Sequence, residues 1–232
     1  LDQFKKDERV LILAPHPDDE VLGCGATMAK FAAQGDNVIV IIATNAAKGA
    51  PELYSEKGTI NVRAEAKAAH SILGVKKTIF MDFPAPALNA YPSYKISLEF
   101  LKVFDELNPT HLFLPHPFDL HEDHKSIYHS ALVAARPQGS LKIPCIYCYE
   151  TLSETEWGPT HYKNTFCPNY FVNVADFYTQ KIESMKCYKS QLKEKPHSRS
   201  IEGLTALANF RGATIGVEKA EAFSIERLID FD

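Results

Sequence analysis

Two short segments hold most of the side chains that could do chemistry. The first is Pro15-His16-Pro17-Asp18-Asp19-Glu20, and the second is Pro115-His116-Pro117-Phe118-Asp119-Leu120-His121-Glu122-Asp123-His124. Four of the nine histidines fall in these two runs. Imidazole and carboxylate at this density suit a divalent metal that performs hydrolysis, because such sites take three ligands from His, Asp and Glu and leave a position for water. His16, Asp19 and His124 can supply that set. Neighbouring side chains diverge on a regular backbone, so only one of Asp18 and Asp19 easily reaches the same ion. We assign Asp19 to the metal and Asp18 to general base, although spacing alone does not choose between them. His121 and His124 lie three apart and share a face if a helix starts there. One of them can bind metal while the other faces a substrate. Asp123 can hydrogen-bond an imidazole and set its tautomer, and a protonated His121 would stabilise an oxyanion and protonate a leaving amine. The plain alternatives are acids that complement a helix N-terminus or cap it. Those alternatives leave unexplained why a buried strand is followed twice by His-Pro and an acid-rich run.

The elements that must position these residues read as an α/β pattern. Short apolar segments at Val10 to Ala14, Val38 to Thr44, Thr78 to Met81 and His111 to Pro115 have the character of strands covered on both faces. Helical patterns lie between them: Val21 to Gln34 ending at Gly35, Val62 to Leu73 ending at Gly74, and Ile96 to Leu107 before Asn108-Pro109. A helix from about His124 to Ala135, strands at Cys145 to Glu150 and Tyr170 to Val174, and a helix from about Phe177 to Leu192 follow. Ile201 to Asp232 reads as a partly helical C-terminal cap. The expected fold is a Rossmann-like α/β domain over residues 1–232, with a mainly parallel sheet and helices on both faces. In such sheets ligands bind beyond the carboxyl ends of the strands, where both His-rich segments fall. The polar loop Asn45 to Thr59 and the proline-bearing Phe83 to Tyr94 are long enough to be functional.

Composition narrows the partners. At 232 residues, 45% apolar and 23% charged, the chain is an ordinary globular protein. Its formal net charge of -4 provides no footprint for nucleic acid. The longest apolar stretch, Val38 to Ala43, is far short of the roughly 18 residues of a membrane span. Five sparse cysteines suit a reducing compartment, and a cytoplasmic location is expected. Cys145-Ile146-Tyr147-Cys148 lies within an apolar strand and is read as buried, with no redox role. The aromatics Tyr147, Tyr149, Trp157, Tyr162 and Phe166 could face a sugar or simply pack. His70, His111, His129 and His161 read as surface or capped, His116 as a pocket-wall residue, and His197 as exposed loop. A homo-oligomer is compatible with the sequence, but no pattern singles out a subunit contact.

The run His16-Pro17-Asp18-Asp19-Glu20 together with Pro117 to His124 resembles the LmbE/PIG-L family of zinc-dependent N-deacetylases. The apolar strand before His16, the Gly23-Cys24-Gly25 turn and Glu221-Ala222-Phe223 extend that likeness over essentially the whole chain. The resemblance implies zinc, or another divalent metal such as Fe2+, held at His16, Asp19 and His124. It further implies a base at Asp18, an acid or oxyanion stabiliser at His121 oriented by Asp123, and substrate contact by Arg63. The implied substrate is a small N-acetylated amino sugar, such as an N-acetylglucosaminyl conjugate. Three other readings stand beside it. A metallo-β-lactamase-like hydrolase would want His where Asp119 stands and an antiparallel sandwich. A nucleotide-binding module lacks its Gly-x-Gly-x-x-Gly here. A catalytically silent zinc-binding or sugar-sensing protein would keep the motifs without turnover.

Overall fold

A computed structural model describes residues 8–159, 161 and 163–231; the aromatic position Tyr162 lies outside the described residues. The chain runs β1 (Arg9–Ala14), α1 (Asp19–Ala33), β2 (Asn37–Asn45), a single-turn α2 (Ala46–Gly49), α3 (Glu56–Ile72) and β3 (Lys77–Pro84). It continues with α4 (Ser93–Leu107), β4 (His111–Pro115), α5 (Glu122–Ala134), β5 (Cys145–Tyr149), β6 (Tyr170–Asn173), α6 (Tyr178–Cys187), α7 (Ile201–Ile215) and β7 (Ala220–Leu228). The seven strands form one sheet in the order β3-β2-β1-β4-β5-β7-β6. Strands β1 to β5 pair in parallel, and β7 runs antiparallel between β5 and β6. This is the expected α/β sheet, and it excludes the antiparallel sandwich of the β-lactamase reading.

Alternation along β1 shows why helices cover both faces. Val10, Ile12 and Ala14 point into one core with Val21 and Met28 of α1, Ala66 of α3 and Met185 of α6. Leu11 and Leu13 point the other way, onto Phe100 and Phe104 of α4 and Ile127 of α5. A strand apolar on both faces needs both layers. No helix among the described residues is long and apolar enough to cross a membrane.

Three elements depart from the sequence reading. Helix α3 starts at Glu56, six residues before the expected Val62, with the Ser55 Oγ accepting the Gly58 N–H as its N-cap. Its first turns are largely solvent-facing and carry no apolar stripe, so hydrophobic periodicity does not register them. Helix α6 ends at Cys187, short of Leu192. The C-terminal cap resolves into α7 and β7. The strand β7 is buried from Ala220 to Phe223 and alternates polar and half-buried beyond, and its Ala and Glu content reads as helix-tolerant rather than strand-like. His70 is also corrected: it is buried at 2% exposure on the inner face of α3, with Nδ1 accepting from Thr78 Oγ1 and Nε2 donating to Glu20 Oε1.

Candidate metal centre and active-site cleft

Strand β1 lies between β2 and β4, so the chain departs to opposite sides of it, and the crevice opens at the carboxyl ends of β1 and β4. The parallel pairing Val10↔His111 and Ile12↔Phe113 brings the two His-rich loops out side by side. There His16, Asp19 and His124 offer ligand atoms within 4.8 Å of one another. Asp19 Oδ2 is 3.3 Å from His16 Nδ1 and 3.2 Å from His124 Nε2. A second set, His16, His121 and Asp123, meets the same spacing.

Carboxylates behind the imidazoles decide which nitrogens face inward. Asp119 Oδ2 lies 2.8 Å from His124 Nδ1, and Thr155 Oγ1 donates to Asp119 Oδ1 at 2.6 Å. Asp123 Oδ2 lies 3.0 Å from His16 Nε2, while its Oδ1 accepts the Leu88 N–H. A carboxylate only accepts, so His124 carries its hydrogen on Nδ1 and His16 on Nε2. In the neutral rings the opposite nitrogens, His124 Nε2 and His16 Nδ1, turn lone pairs toward Asp19. His124 Nε2 is buried and has no hydrogen-bond partner. Two imidazole nitrogens and a carboxylate oxygen converging this closely fit a divalent cation. Without an ion the same carboxylates favour protonated rings, and a bound cation would take the place of those protons. Burial opposes the charge on His16 and His124, yet bonds to Asp123 and Asp19 carry His16 up to about 9, and Asp19 and Asp119 raise His124 well above its usual range.

Asp18 does not join this set. It is 2% exposed and sits in the left-handed region at φ 115°, capping α1 without a side-chain cap bond. Burial and the adjacent Asp19 push its carboxyl well above the usual range, and Arg199 opposes them. The Arg199 guanidinium donates from Nη1 to Asp18 Oδ2 at 3.0 Å and from Nε to Ser153 Oγ, with Nη2 near Glu154. His121 caps α5, its Nδ1 accepting the Asp123 N–H at 3.1 Å. That bond leaves the hydrogen on Nε2. Burial and the charge on His16 push His121 down to about 4, so the imidazole is neutral at pH 7 where the sequence reading expects it protonated. A bound cation would add charge of the same sign. The Asp123 carboxylate lies nearer to His16 than to His121 Nδ1, which is 3.8 Å away.

The cleft above these groups has a volume of about 470 Å³ and is lined by His16, Asp18, His121 and Arg199 on one side and by Thr59 and Arg63 of α3 on the other. Arg63 donates from Nη2 to Met81 O and, at 2.7 Å, to Asp82 Oδ1, with its guanidinium 5.0 Å from the Phe80 ring. Asp82 is held well below the usual carboxylate range by hydrogen bonds from Lys48 and Asn45, with Arg63 adding to them. His116 is buried, packs on Phe118 and Phe166 and donates to Asn164 O. Residue spacing does not reveal Arg199 or the Asp119 contact with His124. Arg199 comes from a loop 181 residues beyond Asp18, two positions after His197, which the sequence marks only as exposed loop.

The sequence model of the PIG-L family, described as GlcNAc-PI de-N-acetylase, matches residues 11–135, which include both His-rich segments. The chain belongs to the PIG-L family. Among curated relatives, an uncharacterized deacetylase of Escherichia coli K12, YaiS, is 29% identical over 195 residues, covering 82% of this chain and 95% of its own. The diacetylchitobiose deacetylase of Thermococcus kodakarensis is 24% identical over 223 residues, covering 94% and 83%. Among solved structures, the N,N'-diacetylchitobiose deacetylase of Pyrococcus horikoshii superimposes with a TM-score of 0.75 at 25% identity, over 96% of this chain and 85% of that one. In this PIG-L chain the family match spans β1 to α5, and the segments that bring Glu154 and Arg199 to the cleft lie beyond it.

Proposed function

We propose that this protein is a metal-dependent hydrolase that removes the acetyl group from an N-acetylated amino-sugar conjugate of the N-acetylglucosaminyl type. The observation that carries this reading is the convergence of His16 Nδ1, His124 Nε2 and Asp19 Oδ2 within ligand distance of one another, beside a buried carboxylate at Asp18. Membership of the PIG-L family and the deacetylase names of its relatives support the substrate class.

His16, Asp19 and His124 would hold the ion, zinc or another divalent metal such as Fe2+. Bound there, it supplies Lewis acidity and makes a water acidic near neutral pH. Asp18 takes the proton from the attacking water as general base. Burial and Asp19 favour its neutral form once it holds that proton, so Asp18 is also suited to pass it to the departing sugar nitrogen. His121 is neutral and donates from Nε2, which suits a hydrogen bond to the acetyl oxygen as negative charge develops. Its lowered proton affinity favours the oxyanion role over the acid role, the two that the resemblance implies for it. Asp123 orients His16 through Oδ2 and His121 through its backbone N–H. Arg63, braced by Asp82, forms the wall that contacts the sugar.

The test combines metal analysis with acetate release from a panel of N-acetylglucosaminyl conjugates. The wild-type protein should hold one divalent ion per chain and release acetate, and Asp18→Ala should retain the ion while losing about 10²–10⁴-fold in rate. No acetate from any conjugate, or an Asp18→Ala variant that stays active, overturns the reading.

A further inference from the structure

Glu20 is fully buried and takes no part in the steps above. A buried carboxylate is costly unless its oxygens are satisfied, and this one collects three donors. Its Oε1 accepts from His70 Nε2 at 3.0 Å and from the Tyr188 hydroxyl, and its Oε2 accepts the backbone N–H of Asp18 at 3.1 Å. His70 belongs to α3 and is itself held by Thr78 of β3, and Tyr188 follows directly on α6. His70 of α3 and Tyr188 at the end of α6 therefore fix the side chain of Glu20, and Glu20 fixes the backbone of Asp18.

That backbone needs fixing. Asp18 stands at φ 115°, ψ −29°, a conformation that L-residues other than glycine avoid and that persists only where surrounding bonds hold it. Its carbonyl accepts from Val21 and Leu22, and no cap bond from its own side chain contributes. The turn also lets two adjacent acids part company. Asp19 points to His16 and His124, while Asp18 faces the cleft and Arg199.

We propose that Glu20 is a positioning residue: anchored by His70 and Tyr188, it holds the Asp18 N–H and so keeps Asp18 in the left-handed conformation that aims its carboxylate into the cleft, apart from Asp19. This inference rests on the deacetylase reading. Glu20 touches neither substrate nor metal in it, and acts only through Asp18.

The test uses the metal-loaded protein and three variants. Glu20→Met keeps the volume and removes both acceptors. Its kcat should fall by about 10²-fold, the cost of misplacing a reacting group by about an ångström, with KM and metal content unchanged. Glu20→Gln should restore most of kcat. Its amide oxygen can still accept the Asp18 N–H, its NH2 can meet the Tyr188 oxygen, and His70 can switch tautomer against the Thr78 hydroxyl. Should Glu20→Met not fold, Tyr188→Phe removes one donor from Oε1 and should still lower kcat without raising KM. An active wild type with unaltered kcat in Glu20→Met, or in Tyr188→Phe where the former does not fold, overturns the inference alone. So does Glu20→Gln as impaired as Glu20→Met. A wild type that releases no acetate overturns the deacetylase reading and this inference with it.

Discussion

Arg199 Nη1 lies 3.0 Å from Asp18 Oδ2, so a cation from the loop before α7 rests on the carboxylate that opens α1. The same guanidinium reaches Ser153 and Glu154 on the loop after β5. Three segments distant in the chain thus meet on one guanidinium. Removing the guanidinium frees Asp18 to rotate, and Arg199→Ala should lower kcat by about 10- to 100-fold. Arg199→Lys keeps the charge without the planar fork and should recover only part of it. Steady-state kinetics on both variants checks this, and equal activity in wild type and Arg199→Ala would refute it.

Asp119 bears on the metal through His124. Its carboxylate fixes the imidazole hydrogen on Nδ1 and raises the basicity of Nε2. Asp119→Ala should weaken metal affinity by about 10–100-fold, read by competition with a chelator of known affinity. Asp119→Asn, which still accepts from Nδ1 but carries no charge, should fall between the two.

Asp82 braces Arg63 at the cleft wall while remaining half exposed. Exposed ion pairs contribute about 0–1 kcal/mol, so Asp82→Asn should shift stability at pH 7 by less than about 1 kcal/mol while raising KM through a loosened Arg63. The sign with pH follows from the lowered carboxyl. Its folded form binds protons less readily than the unfolded chain, so its contribution is present above about pH 3.9 and disappears as pH falls further. Urea unfolding at pH 7 and pH 3 measures the difference between wild type and Asp82→Asn, which should shrink at the lower pH.

Lys181 and Glu221 form a pair buried at 5% exposure each, bridging α6 and β7. Glu221 also accepts the Ala26 and Thr27 N–H groups, and Lys181 donates to Leu22 O, which ties the pair to α1. Breaking such a pair from one side leaves an uncompensated charge and costs about 3–5 kcal/mol. Lys181→Met should therefore be strongly destabilised in urea, and Lys181→Met/Glu221→Gln should recover part of that loss. A double variant no more stable than the single one would show that packing rather than the orphaned charge sets the cost.

The sheet and the ligand types were legible from local chemistry. Apolar runs at Val10, Val38 and His111, the first two rich in β-branched residues, mark buried parallel strands, and the helical stripes between them predict crossovers. Strand β7 was hidden because Ala220 to Phe223 owes its burial to β5 and β6 on either side, a partnership that no local pattern encodes. Likewise the early turns of α3 face the cleft and solvent, so their helical state comes from the Ser55 cap and not from an apolar stripe.

His16, Asp19, His124 and the neighbouring Asp18 were identifiable because chain order alone sets them at the ends of two strands. Residue type and spacing thus established which groups are present at the crevice. Tertiary structure decided their surroundings: which carboxylate backs each imidazole, that burial lowers the proton affinity of His121, and that Asp18 faces Arg199 rather than the metal ligands. Those outcomes depend on burial and on charged and hydrogen-bonding groups a few ångströms away, such as Asp119, Thr155 and Arg199, whose proximity arises only when the chain has folded.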